Sequence, residues 1–243
     1  MSDAMHENEN ELCIATRFCG PPRSGNGGYV SGLLAQRLGR GAVEVTLRSP
    51  PPLERRLRVE VVAGQAQDAD RARLFDADVL LAEARPAELM LEVPAAPSFA
   101  QAEDWSQGYA GRESHAFPGC FTCGPARALG DGLRIFAGPA PDGALLAATW
   151  LPDASLADSD GTISSAVVWA ALDCPGYFAA AHPAFALLGR ICAEVTLPLP
   201  AATRYVVIGW SLGTEGRKFH AGTAIFDEAG VLHGRAKQTW IGR

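Results

Sequence analysis

The sequence predicts an α+β fold built from two similar halves. Two segments of the chain match each other: VTLRSPPPLERRLRVEVVAG begins at Val45, and VTLPLPAATRYVVIGWSLG begins at Val195. Each copy begins with Val-Thr-Leu, which is followed by prolines. A predicted strand with alternating side-chain character comes next and ends in glycine. A helix candidate precedes each copy and further strand candidates follow it. Internal self-similarity of this kind indicates that one structural unit occurs twice.

The helix candidates come first in each half. GGYVSGLLAQRLG, residues 27–39, carries Leu33, Leu34 and Leu38 on one side, which is typical of a helix with one buried face. SSAVVWAALD, residues 164–173, is its counterpart in the second half. Pro175 is expected to end or kink this second helix, because the residue before a proline avoids the α region.

Strand pairs follow the repeated segments. In the second half RKFHAGTAIFD and VLHGRAKQTWI are joined by a DEAG turn, in which Gly230 suits a left-handed position. In the first half the pair is DADRARLFD and ADVLLAEARP. A segment rich in Pro, Ala and Ser breaks the periodicity between the halves. The sequence therefore predicts an N-terminal repeat over 10–90, a connecting segment over 91–118 and a C-terminal repeat over 119–243.

The amino-acid composition excludes several classes of protein. The chain has 243 residues, of which 48% are hydrophobic and 20% charged, as in an ordinary globular protein. The net charge of −6, without a basic cluster, argues against nucleic acid as a partner. The six cysteines are too few and too scattered for a disulfide scaffold in a chain of this length.

Two stretches bear on localisation. MSDAMHENENE at the N-terminus is acidic and polar, unlike a signal peptide. The apolar run 161–189 is interrupted by Asp173, Pro175, His182 and Pro183 and lacks basic flanking clusters, so we expect no membrane span. The expectation is a soluble, cytoplasmic protein.

Asp173 is the one formally charged residue between Gly161 and Gly189. Burying an unpaired carboxylate costs several kcal/mol or raises its pKa, so such a residue usually has a partner or a chemical role. On a helix, Ser165, Trp169 and Asp173 share one face. Asp173 is therefore a candidate general base or nucleophile. The alternative is a carboxylate at a helix end that pairs with Arg190 or caps a neighbouring turn.

The start of the first helix is a candidate oxyanion site. Free N–H groups and the positive end of the helix dipole at a helix N-terminus stabilise developing negative charge. Gly27 and Gly28, after Asn26, would let a substrate approach the backbone closely. The alternative is a plain glycine-rich turn before a helix.

Gln238 lies in the alternating strand GRAKQTWIG. Ala236, Gln238 and Trp240 share one face of that strand, and because two of them are apolar, Gln238 is expected to point inward. A buried glutamine needs hydrogen-bond partners. Its role is either in a site or in a structural hydrogen bond.

His115, Cys120 and Cys123 form an H-x4-C-x2-C pattern. Three ligands with no evident fourth make a poor zinc site, and a C-x2-C pair alone is also compatible with redox chemistry. Buried thiols are the favoured interpretation, so no metal site is assigned from the sequence.

Three stretches resemble the hotdog thioesterase superfamily, in which a curved antiparallel sheet wraps a helix. GNGGYVSGLLAQ (25–36) is similar to its helix-opening His-Gly-Gly segment, with Asn26 where histidine is commonest. CFTCGPARALGDGLRIF (120–136) resembles a Cys-Phe-x-Cys-Gly segment that leads into a hotdog domain. FDEAGVLHGRAKQTWI resembles the last hairpin of the acyl-CoA thioesterase II type. The resemblance implies a double hotdog, two tandem repeats in one chain.

The resemblance also implies roles for particular residues. It puts the family's helical aspartate on Asp173 and its last-strand glutamine on Gln238, which together with a hydroxyl orient the attacking water. The family's hydroxyl has no clear match, because Arg190 or Cys192 of LGRICAEVTL occupies that region. Asn26, Gly27, Gly28, Trp169 and Arg190 are the expected oxyanion and substrate-binding residues.

Only the second half has the aspartate. The corresponding part of the first helix has Ala35 and Gln36 where a carboxylate could be. One site per chain is therefore expected, as in other double hotdogs.

Three functions are compatible with these features. The first is hydrolysis of acyl-CoA or a related acyl thioester, with CoA as part of the substrate and no further cofactor. The second is binding of an acyl thioester or fatty acid without turnover. The third and weakest is enoyl-CoA hydration, because DCPGYFAAAH lacks the asparagine-proline of the Asp-x-Asn-Pro-x-x-His pattern. Since double hotdogs often associate by extending their sheets, a homo-oligomer is a possible assembly.

Overall fold

The computed structural model describes residues 10–39, 41–64, 70–182 and 184–242. Most of the acidic N-terminal stretch, the start of DADRARLFD and Pro183 lie outside these ranges. Within them the strands form a single antiparallel sheet of eleven strands. The strands are β1 Glu11–Cys13, β2 Val43–Leu47, β3 Arg56–Val62, β4 Arg71–Asp76, β5 Val79–Pro86, β6 Gly138–Pro139, β7 Leu146–Trp150, β8 Ala186–Val195, β9 Tyr205–Glu215, β10 Lys218–Asp227 and β11 Leu232–Gly242.

The order of the strands repeats across the middle of the sheet. It reads β1-β3-β4-β5-β2 and then β8-β11-β10-β9-β7-β6. Strands β2 and β8 both end in the Val-Thr-Leu copies. They pair antiparallel where the halves join, with Val45 opposite Ile191. The predicted hairpin of the second half is confirmed: β10 pairs with β11, and Gly230 in the turn has a φ of +79°.

Four α-helices accompany the sheet in the described ranges. None of them has the length and apolar character that a membrane-spanning helix requires. The helices are α1 Gly27–Ala35, α2 Phe99–Ser106, α3 Ser165–Ala171 and α4 Cys174–Ala180.

The predicted effect of Pro175 is confirmed. Helix α3 ends at Ala171, and α4 begins at Cys174 with the proline in its first turn. A proline is tolerated there because the N–H groups of a first turn have no partner within the helix. Asp173 consequently lies at the joint between two short helices rather than inside one helix.

Helix α1 crosses α3 at very short range. A Cβ atom added to Gly32 would lie 2.6 Å from the Cα of Ala166 and 2.8 Å from the Cβ of Trp169. Leu34 of α1 and Val168 of α3 belong to the same buried core, which continues to the sheet. Glycine on α1 therefore sets how closely the helices of the two halves approach each other.

We expect Gly32→Ala to destabilise the protein by about 1–3 kcal/mol, the usual cost of overpacking a close contact. Alanine has the higher helix propensity by up to ~1 kcal/mol, but this gain does not offset a clash with the backbone of the facing helix. Urea unfolding measures the change. Gly119→Ala is the control, because a Cβ there meets nothing within 4 Å. Equal midpoints for the two variants would contradict the close crossing.

The connecting segment contains a helix that the sequence interpretation did not assign. Ser98 caps α2 and forms a reciprocal capping box with Gln101. Ala102 of this helix is buried in a second hydrophobic cluster with Ala147 of β7 and Ile208 of β9. The Ser-x-x-Gln pattern was the local signal for this helix.

Candidate active site

Asp173 connects the two halves. Its side chain is 2% exposed, and its Oδ2 accepts a hydrogen bond of 2.9 Å from the Gly28 N–H in the first turn of α1. The other oxygen, Oδ1, is buried and has no hydrogen-bond partner among the described residues. The carboxylate of the second half therefore meets the helix N-terminus of the first half and keeps one oxygen unused.

Burial dominates the electrostatics of this carboxyl. It raises the pKa of Asp173 to about 7, although the Gly28 N–H and the nearby Asn26 side chain act in the opposite direction by favouring the charged form. The proposed pairing with Arg190 does not occur. Arg190 is exposed on β8 and lies 3.8 Å from the carboxylate of Glu44. The Gly28 backbone N–H, rather than a cation, holds the Asp173 carboxylate.

Some backbone N–H groups at the N-terminus of α1 already donate hydrogen bonds within the protein, and one has no acceptor among the described residues. Asn26 caps the helix by accepting a hydrogen bond of 2.9 Å from the Tyr29 N–H. Gly28 donates to Asp173, whereas the N–H of Gly27 has no hydrogen-bond partner in the described part of the chain. A Cβ on Gly28 would overlap the Trp169 carbonyl oxygen, so only glycine allows this approach. The glycines serve both close packing and access to a backbone donor.

A cavity of about 1070 Å³ opens beside Asp173. Asn26 and Gly27 line it from the first half, and Asp173 lines it from the second. Much of the remaining wall is apolar or aromatic, as an acyl chain requires. These wall residues include Leu47, Phe117, Tyr177, Phe178, Leu188 and Trp240.

Three exposed arginines also line the cavity: Arg23, Arg48 and Arg217. Within the described ranges, none of the three has a carboxylate within 4.0 Å. Unpaired guanidinium groups are suited to phosphate, which they bind through bidentate hydrogen bonds. The cavity thus combines an apolar wall with cations that have no carboxylate partner among the residues that the structure describes.

Gln238 points inward, as predicted, but its side chain does not line the cavity. Its Nε2 donates to the carbonyl oxygens of Leu172 and Asp173, the latter at 3.1 Å. Its Oε1 accepts a hydrogen bond of 2.8 Å from the Trp240 Nε1. The amide therefore ties the joint between α3 and α4 to strand β11, and it lies behind the Asp173 backbone.

The structure supplies a buried hydroxyl that the sequence interpretation missed. Thr223 of β10 donates from Oγ1 to the Leu172 carbonyl at 2.8 Å and lies 3.4 Å from the Nε2 of Gln238. The hydroxyl was expected on the strand after the helix, near Arg190 or Cys192. The available signal was an inward threonine in the alternating strand HAGTAIFD.

Two other expected substrate-binding residues lie outside the cavity. Arg190 points to the solvent side of β8, where its Nε donates to Thr46 Oγ1 at 3.2 Å. Trp169 is 3% exposed and packs at the crossing of α1 and α3. Helical spacing places Trp169 one turn before Asp173, but the break after α3 turns Asp173 toward the cavity while the indole stays in the core.

No family model and no curated protein sequence matches the chain. Solved structures match almost its whole length. The tesB protein of Mycobacterium avium subs paratuberculosis has a TM-score of 0.64 at 14% identity, over 98% of this chain and 94% of that one. A conserved protein from Alicyclobacillus acidocaldarius, described as having a hot dog fold, has a TM-score of 0.57 at 10% identity, over 96% and 92%. The chain is a double hotdog.

An acyl-CoA thioesterase II from Mycobacterium marinum is also similar, with a TM-score of 0.59 at 10% identity over 96% of this chain and 92% of that one. At sequence identities this low, the structural similarity establishes the fold and nothing further. The residues that the sequence comparison aligned with Asp173 in the first half are a buried Ala35 and an exposed Gln36. Neither side chain can act as a base, so one site per chain stays a prediction.

Proposed function

We propose that the protein hydrolyses acyl-CoA or a closely related acyl thioester. The observation that carries this proposal is Asp173 itself: it lines a large, mainly apolar cavity, its Oδ2 meets a helix N-terminus from the other half, and its buried Oδ1 has no partner among the described residues. A carboxylate with an unused oxygen can accept a proton from water. Backbone N–H groups at a helix N-terminus can stabilise an oxyanion.

The reaction follows from these positions. The acyl chain occupies the apolar cavity, and the thioester carbonyl accepts a hydrogen bond from the Gly27 N–H. Water attacks the carbonyl carbon and gives a proton to the Asp173 carboxylate. The tetrahedral intermediate then collapses to a carboxylic acid and the CoA thiolate. Asp173 donates the proton that it took from water to this thiolate, which forms the CoA thiol. Gln238 acts indirectly, because its amide holds the backbone of Leu172 and Asp173.

The unpaired arginines favour CoA as the thiol carrier, since its nucleotide end carries phosphates. We expect Arg48→Ala to raise KM for acyl-CoA about threefold to fivefold with kcat nearly unchanged, because an exposed ion pair contributes up to ~1 kcal/mol. The effect should shrink at high ionic strength. Arg204→Ala is the control, because Arg204 is also exposed but pairs with Glu228 and does not line the cavity. If the two variants had the same KM, the phosphates would bind elsewhere.

Thiol release from short, medium, long and aromatic acyl-CoAs tests the proposed reaction directly. We expect release from at least one member of the panel, with a chain-length preference set by the cavity. The same acyl groups on an acyl carrier protein show whether the carrier matters. Absence of release from every substrate would overturn the hydrolase proposal.

A second candidate function is acyl-thioester binding without turnover. Two observations favour it: the Gln238 amide is used by protein partners, and the Gly28 N–H is used by Asp173. A non-hydrolysable thioether analogue of acyl-CoA distinguishes the two functions. Thermal stabilisation by the analogue, together with no thiol release from the thioesters, would identify a binding protein.

A further inference from the structure

Three buried thiols meet at one end of the cavity. Cys120 and Cys123 lie in the turn that follows the connecting segment, and Cys174 is the first residue of α4. Their Sγ atoms all lie within 4.8 Å of one another. The Sγ atoms of Cys120 and Cys174 are 3.7 Å apart, although 54 residues separate them in the chain. The fold therefore adds a third cysteine to the C-x2-C pair.

This spacing is that of a tetrahedral metal site. With Zn–S bonds of about 2.3 Å, the sulfurs of a tetrahedron lie about 3.8 Å apart. A disulfide requires a separation of about 2.05 Å and would leave the third thiol without a partner. Thiolates select soft or borderline metals, so Zn²⁺ suits this group of sulfurs better than Mg²⁺ or Ca²⁺.

The turn that carries two of the thiols is tightly wound. The Gly124 N–H donates to the Cys120 carbonyl at 2.9 Å, and the Ala126 N–H donates to the Pro118 carbonyl at 3.0 Å. A Cβ on Gly124 would lie only 2.5 Å from the backbone N and O of Cys120. The glycine after the second cysteine thus lets the chain turn back sharply enough to present both sulfurs to one point.

His115 is the neighbouring side chain that can complete the site. Its Nε2 lies 3.3 Å from the Cys123 Sγ, and its Nδ1 accepts a hydrogen bond of 3.0 Å from the Phe117 N–H. Coordination through Nε2 moves the ring proton to Nδ1, so the Phe117 N–H must release this hydrogen bond when a metal binds. The His115 ring nitrogen is not among the ligand atoms that lie within 4.8 Å of one another, so the ring must move toward Cys120 and Cys174 to complete four ligands.

We propose that the protein binds one Zn²⁺ through Cys120, Cys123 and Cys174, with His115 as the fourth ligand. Binding releases the three thiol protons to solvent. Because all four ligands come from the protein, the site is closed and structural rather than catalytic. It joins the end of the connecting segment to the start of α4, and so supports the joint at which Asp173 is held.

Metal analysis of the full-length protein tests the proposal. We expect about one zinc per chain in wild type produced in zinc-supplemented cells, measured by plasma mass spectrometry. Replacement by Co²⁺ should produce the intense visible bands of tetrahedral thiolate coordination. Removing the metal with a chelator should lower the Tm, and adding Zn²⁺ back should restore it. None of these readouts depends on turnover, so they stay separate from the test of the hydrolase.

Variants identify the ligands. Cys123→Ser should lose most of the bound zinc, and His115→Ala should release zinc to a chelator severalfold faster than wild type. Cys13→Ser is the matched control, since Cys13 lies in β1 outside the cluster, and it should keep the full metal content. Wild type that neither contains zinc nor takes up Zn²⁺ or Co²⁺ when reduced would overturn the proposal. Unchanged zinc release from His115→Ala would overturn it as well.

Discussion

Asp173→Asn is expected to lower kcat for thioester hydrolysis by about 10²–10⁴-fold, the range that a positioned general base contributes. The amide oxygen can still accept the hydrogen bond from the Gly28 N–H, so the geometry at the N-terminus of α1 is retained. What is lost is the carboxylate oxygen that takes the proton from water. The measurement is the rate of thiol release on the best substrate, with the fold checked by circular dichroism.

Asp158→Asn is the control for this substitution, because Asp158 is an exposed carboxylate away from the cavity lining. It should hydrolyse the substrate at the wild-type rate. A folded Asp173→Asn variant with wild-type turnover would show that water is activated by another group. Retained binding of the thioether analogue by Asp173→Asn would confirm that the loss concerns the reaction rather than the cavity.

Gln238→Leu is expected to lower the free energy of unfolding by about 1–3 kcal/mol. Leucine has a similar volume but no amide, so the Trp240 N–H loses its buried acceptor, whereas the Leu172 carbonyl keeps the hydrogen bond from Thr223 Oγ1. Urea unfolding measures the change. Gln107→Leu, at an exposed glutamine after α2, should stay within about 0.5 kcal/mol of wild type.

The same variant separates two roles for Gln238. If the amide holds the α3–α4 joint, stability and turnover should fall together in Gln238→Leu. A variant that is as stable as wild type but inactive would contradict the structural role and indicate that the amide acts on the reacting groups.

Much of the fold could be predicted because its signals are local. The first Val-Thr-Leu copy ends β2 and the second begins at the last residue of β8, and these are the strands at which the halves join. Pro175 disfavours a continuous helix through its own ring geometry, so the break after α3 needs no tertiary information. Alternation in GRAKQTWIG was enough to place Gln238 on a buried face, because side chains on a strand alternate between its two sides.

The contacts of the site could not be predicted in the same way. Asp173 stood out as a lone charge, but its partner, the Gly28 N–H, is 145 residues away in the chain. Arg190 was a candidate partner because it is close in sequence, yet its place on β8 directs it to Glu44. Distance along the chain also hid a proposed metal ligand. The sequence pattern showed His115, Cys120 and Cys123, but it gave no sign that Cys174, 54 residues after Cys120, lies beside them.

The sequence by itself determined the plan of each half, one helix followed by antiparallel strands, together with the break at Pro175 and the isolation of Asp173. Periodicity, backbone restriction and charge are all properties of neighbouring residues. Only the tertiary structure decided what those residues meet. Pairing β2 with β8 brings α1 against α3, and this places Asp173 at the Gly28 N–H and Cys174 beside Cys120. Such contacts depend on how the halves pack, because groups distant in the chain become neighbours only when the sheet closes between them.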